Sequence, residues 1–399
     1  MAGVSAVGKN EPGKGVTRLA YTPEDFVAQK WLLEQVKDLG LTITEDAVGN
    51  TFLRRPGKDN TLPPVAMGSH LDTVIQAGNY DGIVGVVGAL EALYMLQDED
   101  LTRPVEVIIF RAEESSRFGF ATMGSKLMTG TTTPEKLSSA TKKNDISFIE
   151  ALRKAGYNPD NYKDAIKTKG CYKCFLEIHI EQGKVLDETG EQIGIVHNIA
   201  APTRFKLMVE GMADHSGATP MGFRKDALVA GAKLILAIQK AASEEGKNGV
   251  VGTVGVVDVE PSSINVVPGK ATLWVDIRGV EAESIKRTLH NIAKAMKEVA
   301  DSDNVNVAEE LLTADTPVAL SPELAADFDK ICSSLKIKYR HMNSGAGHDA
   351  MHMTKLCPTS MLFIPCKDGI SHNPKEEAKI EDICKAVEVL AEMVKLQAQ

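Results

Sequence analysis

The chemistry-bearing residues of this chain are histidines and carboxylates set at the ends of apolar segments. His70 and Asp72 in GSHLDTV are two residues apart, so on a strand both side chains leave the same face. A carboxylate so placed can accept the second ring N–H of a metal-ligating imidazole and fix its tautomer. Asp81 in NYDGIVG stands at the mouth of a Gly-rich helix start, and Glu113 and Glu114 are adjacent in FRAEES. In FLEIHIE (175–181), Glu177, His179 and Glu181 alternate against Leu176, Ile178 and Ile180, which puts His179 on the polar face. His372 lies in GISHNP. Singly, each has an ordinary reading: a surface histidine, a solvated glutamate pair, an Asp–Gly turn. Together they suit a two-metal centre, which needs mixed nitrogen and oxygen ligands and a bridging carboxylate.

An α/β sheet is what must position them, because such sheets place ligands at strand ends. Residues 23–39 carry apolar side chains at helical spacing between Pro23 and Gly40, which predicts a helix. PVAMGSH (64–70) and VEVIIFRAEE (105–114) read as buried strands, with a helix over 82–97 between them. The middle of the chain changes character. Segments 204–211, 250–260 and 271–279 alternate like half-exposed strands, separated by helical stretches at 225–242 and 282–300. After Thr316–Pro317 the text returns to helix and short strand, including TSMLFIP (359–365). The expected fold class is α/β. A catalytic domain with a mixed sheet and flanking helices spans 1–202 and 314–399, and a small α+β domain is inserted at 203–313.

The totals agree with that plan and exclude other classes. A chain of 399 residues calls for about two domains. The net charge of −9 supplies no electrostatic reason to bind nucleic acid or an anionic membrane. No apolar run reaches roughly 18 residues, and the Gly-rich N-terminal segment lacks a secretory apolar stretch, so a cytoplasmic location is expected. Six scattered cysteines do not form a disulfide framework, and Cys171-x-x-Cys174 has no second ligand pair nearby, so ordinary reduced thiols are expected.

The ordered motifs GSHLDTV, NYDGIVGVVGALEAL, RAEESSRFG, EIHIEQG, ADHSGATPM, SSINVVPG, DIRG, SGAGHDAM and ISHNP resemble the hydantoinase/carbamoylase branch of the M20 metallopeptidase-like family. That branch includes N-carbamoyl-L-amino-acid hydrolases, allantoate amidohydrolases and β-ureidopropionases, and the resemblance runs from about residue 15 onward. It implies a homodimer formed through the inserted domain, which would also act as a lid. It implies two divalent ions, with Zn²⁺, Mn²⁺ and Co²⁺ all suiting the ligands. One ion is expected on His70, Asp81 and His179 and the other on Asp81, Glu114 and His372, with Asp81 bridging.

By the same resemblance, Glu113 is the general base and Asp72 the carboxylate behind His70. Gln182, His215, Asn265, Arg278, Gly347 and His348 are expected to contact a small carboxylate-bearing ureido substrate. His215 would stabilise the oxyanion and Arg278 would clamp the carboxylate. Asp276 shares the polar strand face with Arg278, so an internal salt bridge competes for that guanidinium. His179 stands where most M20 peptidases have a carboxylate, which favours the carbamoylase branch over a dipeptidase or aminoacylase. PSSINVVPG departs from the pattern with Ser262 where an Asn is common. The expected reaction is hydrolysis of the carbamoyl C–N bond of N-carbamoyl-L-amino acids, with allantoate as the alternative substrate. A non-catalytic scaffold is disfavoured because every ligand position and Glu113 are filled.

Overall fold

In the computed structural model the chain forms one unit of Met1–His197 with Ala319–Gln399 and a second of Asn198–Val318. The residues described are 2–8, 13–138 and 146–399. The second unit is wider at both ends than 203–313, because its first and last long strands already begin at Ala201 and run on to Ala314.

The chain enters with β1 (Thr42–Glu45), β2 (Thr51–Arg55), β3 (Val65–His70), β4 (Val105–Phe110), β5 (Cys174–Ile180) and β6 (Ile193–Ile199). The second unit supplies β7 (Ala201–Glu210), β8 (Asp214–His215), β9 (Val251–Glu260), β10 (Val266–Val267), β11 (Lys270–Gly279) and β12 (Asn306–Ala314). The chain then returns with β13 (Val318–Ala319), β14 (Tyr339–Ser344) and β15 (Thr359–Ile364).

The large sheet is ordered β1-β2-β4-β3-β5-β15-β6-β13, with β14 paired to β6. It is mixed: β3 runs parallel to β4 and β5, and β15 parallel to β5, while β2 opposes β4 and β6 opposes β15. Strands covered on both faces read as continuous apolar runs. That explains β3, β4 and β15, where every residue is buried. β5 is buried throughout as well, so the face bearing Glu177 and His179 is polar without being wet. The helices Ile83–Met95 and Ile380–Gln397 join the same core through Ile83, Leu90, Leu93, Val387 and Leu390. The first predicted helix is shorter than its pattern: Pro23–Gln35 is α-helical and Lys37–Leu39 is a 3₁₀ turn closed by left-handed Gly40.

The second unit is a four-stranded antiparallel sheet, β12-β7-β11-β9, with helices Ala227–Glu244 and Ala282–Asp303 packed on one face. The alternation on β11 sends Ala271, Leu273, Val275 and Ile277 to the helices and leaves Trp274, Asp276 and Arg278 on the other face. Asp226 caps the first of these helices, its carboxylate accepting from Leu228 and Val229 N–H.

A buried ion pair underlies the turn after β4. Arg111 Nη1 lies 2.8 Å from Asp25 Oδ2, with both side chains 2% exposed. Arg111 Nε also donates to the Gly49 carbonyl at 3.0 Å. Removing one partner of such a pair leaves an uncompensated buried charge. Asp25→Ala is therefore expected to lower stability by about 3–5 kcal/mol in urea denaturation. A loss within about 0.5 kcal/mol, the range of an ordinary surface substitution, would mean the pair does not anchor this turn.

The six cysteines are free in the structure. Cys174 is buried on β5 and its thiol is pushed up to about 12 by burial, so it packs as a small apolar side chain. Among the described residues no helix is long and apolar enough to cross a membrane.

Candidate metal centre

β3 ends on His70, and His179 stands beside it on β5, their ring centroids 6.1 Å apart. Each imidazole is pinned by backbone. His70 Nδ1 lies 2.9 Å from the Asp72 carbonyl, and His179 Nδ1 lies 2.9 Å from the Ile180 carbonyl. A carbonyl only accepts, so both Nδ1 atoms carry the proton and both Nε2 atoms offer a lone pair. Gly82 is required here. Its φ is +68°, and a Cβ at that position would lie 2.4 Å from the His70 ring.

Asp81 sits between these rings and His372. Its Oδ1 is 3.1 Å from His179 Nε2, and its Oδ2 is 2.9 Å from His372 Nε2. Glu114 Oε1 is 3.3 Å from the same His372 nitrogen. The ligand atoms of His70, Asp81 and His179 fall within 4.8 Å of one another, as do those of Asp81, Glu114 and His372. Lone pairs of imidazoles and carboxylates facing at such distances repel unless a proton or a cation lies between them. Asp81 Oδ2 is also buried without a well-aligned hydrogen-bond donor. The donor chemistry therefore fits divalent metal, and Asp81 is common to these two candidate groups.

The electrostatics state the same demand for positive charge. Hydrogen bonding to Asp81 and then Glu114 lifts the His372 imidazole to about 10, against the opposing effect of burial. Burial also opposes charge on His179, yet the Asp81 carboxylate carries it up to about 9. His70, buried with a weaker carboxylate influence, falls to about 4. Glu113 is driven well above the carboxylate range by burial and then by the Glu114 charge.

The turn after β4 separates the adjacent glutamates. Ala112 adopts φ +54°, an uncommon left-handed conformation for a residue with a Cβ. Glu114 reaches His372, while Glu113 lies outside both ligand groups with its Oε2 3.7 Å from His70 Nε2. Asp72 differs from its expected place. Its carboxylate is 3.7 Å from His70 Nδ1, and its backbone carbonyl takes the ring N–H instead. The carboxylate accepts from Glu113 N–H at 3.2 Å and Glu114 N–H at 3.0 Å, so it holds the turn rather than the imidazole.

Gln182, at φ +58°, donates to Asp81 Oδ1 at 3.2 Å and lies 3.3 Å from His372 Nε2. Gly347 is in the loop after β14. His348 is only 3% exposed, with its ring centroid 4.5 Å from that of His179 and its Nε2 2.9 Å from Ser344 Oγ. It packs behind His179. In the second unit the β8–β10 ribbon pairs His215 with Val266, beside Asn265. His215 Nδ1 accepts from Gly217 and Ala218 N–H at 3.1 Å each, which leaves the ring proton on exposed Nε2. Arg278 forms the competing salt bridge, its Nη2 3.1 Å from Asp276 Oδ2.

Two further carboxylates organise the centre. Glu376 Oε1 accepts from Tyr80 and Asp81 N–H at 2.8 and 3.1 Å, and its Oε2 accepts from Ser371 Oγ at 3.0 Å. One side chain thus ties the Asp81 loop to the His372 loop. Glu177 accepts from Ser69 Oγ at 2.7 Å and from Ala350 N–H at 3.3 Å, beneath His179. Its position two residues before His179 was a usable signal. Glu376, in NPKEE, reads as a solvated charge and gave none.

Candidate metal-ligand groups at the strand ends of a mixed sheet are the arrangement of a metal-dependent hydrolase. Residues 66–396 match peptidase family M20/M25/M40, and the chain belongs to that family. Its similarities lie with the family's amidohydrolases. It is 38% identical over 95% of its length to a ureidoglycolate hydrolase of Arabidopsis thaliana, covering 82% of that protein. It is 36% identical over 98% of its length to an N-carbamoyl-L-amino acid amidohydrolase of Geobacillus stearothermophilus, covering 96% of it. With the allantoate amidohydrolase of Escherichia coli it shares 34% identity over 96% of its length and 93% of the other. The crystal structure of a hydantoinase/carbamoylase family amidase from Burkholderia multivorans superposes with a TM-score of 0.90 at 31% identity, covering all of this chain and 96% of that one. The protein is thus an amidohydrolase of carbamoylase or allantoate amidohydrolase type, acting on C–N amide bonds.

Proposed function

We propose that this amidohydrolase cleaves the carbamoyl C–N bond of N-carbamoyl-L-amino acids, releasing the amino acid, ammonia and carbon dioxide. The metal-assisted part of the reading is carried by the division of Asp81, one oxygen toward His179 and the other toward His372, and the substrate class is supported by the N-carbamoyl-L-amino-acid amidohydrolase relatives. Two bound divalent ions would supply a Lewis acid for the carbonyl oxygen and lower the pKa of water toward neutrality. Glu113, outside both ligand groups, takes the proton of the attacking water and delivers it to the leaving nitrogen. The family resemblance assigns His215 Nε2–H to the negative charge on oxygen, and Asn265 and Arg278 to the substrate carboxylate.

The ureidoglycolate hydrolase and allantoate amidohydrolase relatives support a second reading, in which the ureido group belongs to allantoate or ureidoglycolate. All three substrate types carry a carboxylate beside a ureido nitrogen. Rates on a panel of N-carbamoyl-L-amino acids, N-carbamoyl-β-alanine, allantoate, ureidoglycolate and dipeptides, with Mn²⁺ or Zn²⁺ added, decide between them. A dipeptide as the best substrate would overturn both.

Arg278 tests the carboxylate clamp. A charge-assisted contact contributes about 1.5–3 kcal/mol, so Arg278→Ala should lower kcat/KM roughly 10-fold to 200-fold on a carboxylate substrate. Arg278→Lys should recover only part, since an ammonium lacks the planar fork. An N-carbamoyl amine without a carboxylate should be poor with wild type and no worse with the variant. Equal losses on both substrates would assign Arg278 to its salt bridge with Asp276 alone.

A further inference from the structure

Away from the metal centre, three residues of the first unit form a separate chain of polar contacts: His197 on β6, His341 on β14 and Asp329 on the helix Pro322–Ser334. His197 Nε2 lies 2.6 Å from His341 Nδ1, with the two rings stacked at 4.7 Å between centroids. His341 Nε2 lies 3.0 Å from Asp329 Oδ1, an oxygen buried from solvent without a well-aligned hydrogen-bond donor. The nearby carboxylate favours the tautomer with the proton on His341 Nε2, and Nδ1 faces His197 Nε2.

We propose that His197 and His341 form a second, independent site for a borderline divalent transition ion of the Zn²⁺, Ni²⁺ or Cu²⁺ class. Imidazole pairs suit these ions, whereas Mg²⁺ and Ca²⁺ prefer oxygen. A carboxylate on the far nitrogen of a ligating histidine is the arrangement that orients such ligands and raises their basicity. Tetrahedral zinc at about 2.0–2.1 Å from each nitrogen sets the two nitrogens roughly 3.3 Å apart, so the rings must open by less than 1 Å. His341 has 45% of its side chain exposed, which gives it room to turn. Binding requires the His197 proton to move from Nε2 to Nδ1 by exchange with solvent, and solvent completes the coordination. The Arg340 guanidinium does not compete, since it reaches toward Thr189 and Glu191. The site would fasten β6 to β14 where the chain leaves the first unit: His197 is that unit's last residue before Asn198, and its carbonyl accepts from Leu320 N–H at 2.8 Å.

Ni²⁺ is titrated into the untagged full chain, its catalytic centre preloaded with Mn²⁺, and ions retained after desalting are counted. Wild type should hold one equivalent more than His341→Ala or His197→Gln, with hydrolysis in both variants near the wild-type rate. Asp329→Asn should keep the site but weaken it about 10-fold to 100-fold. Equal stoichiometry and affinity in wild type and both histidine variants would overturn the proposal. A measurement on wild type alone guards against a misfolded variant. Ni²⁺ should shield His197 and His341 from diethyl pyrocarbonate, read by peptide mass spectrometry, while exposed His290 stays reactive. Equal modification of the pair with and without Ni²⁺ would also overturn it.

Discussion

Asp81→Ala is expected to release both ions together and to reduce hydrolysis to the level of the metal-free protein. The expectation follows from geometry. His179 and His372 have no common ligand atom except through the two oxygens of Asp81, at 3.1 and 2.9 Å. Without that carboxylate, two cations would face each other with no shared anion, and the repulsion would act on both. His179→Ala should lower occupancy mainly at one site and Glu114→Gln mainly at the other, because neither residue is shared. The Asp81 variants should still fold. Glu376 holds the loop through the backbone N–H groups of Tyr80 and residue 81, which a side-chain change leaves in place. Asp81→Asn keeps the shape and removes the charge, so it separates packing from electrostatics. Metal content after desalting, measured beside activity, checks this. A variant retaining one tightly held ion and measurable turnover would remove Asp81 from its bridging role.

Glu113→Gln should behave in the opposite way, keeping its ions and losing turnover by about 10²–10⁴-fold, the usual contribution of a positioned general base. Glu113 is buried and close to His70 but belongs to neither ligand group. Glu114→Gln, one residue along, should lose ion affinity first and recover activity partly at high metal concentration. The acid limb of the kcat/KM profile should disappear with Glu113→Gln, because that limb reports protonation of the base. Metal content, turnover and pH profile together make the comparison decisive. If Glu113→Gln lost metal and Glu114→Gln kept it, base and ligand would have to be exchanged.

Much of this protein is legible one residue at a time. Period-two alternation identified β7, β9 and β11 of the second unit and put His179 and Glu177 on one face of β5, whereas β12 was not identified. Glycines marked the turn at Asp81, and apolar runs ending in His70 and Phe110 marked where the candidate ligands emerge. The residue types required for a two-ion centre, and the change of pattern that separates the second unit, are properties of local sequence. Periodicity is local because it reports which face of its own element a side chain takes.

The tertiary structure decided what lies opposite that face. Glu376 meets the backbone of Asp81 across 295 positions, and no spacing rule relates residues so far apart. The left-handed Ala112 determines that Glu114 turns to His372 while Glu113 does not. Asp72 was expected to share a strand face with His70, but β3 ends at His70 and the Asp72 carboxylate accepts from the Glu113 and Glu114 N–H groups instead. His197 and His341 look like lone surface histidines until β14 pairs with β6 and Asp329 closes beneath them. In each case the sequence carries the chemical group and its direction, and only the packing of distant elements selects its partner.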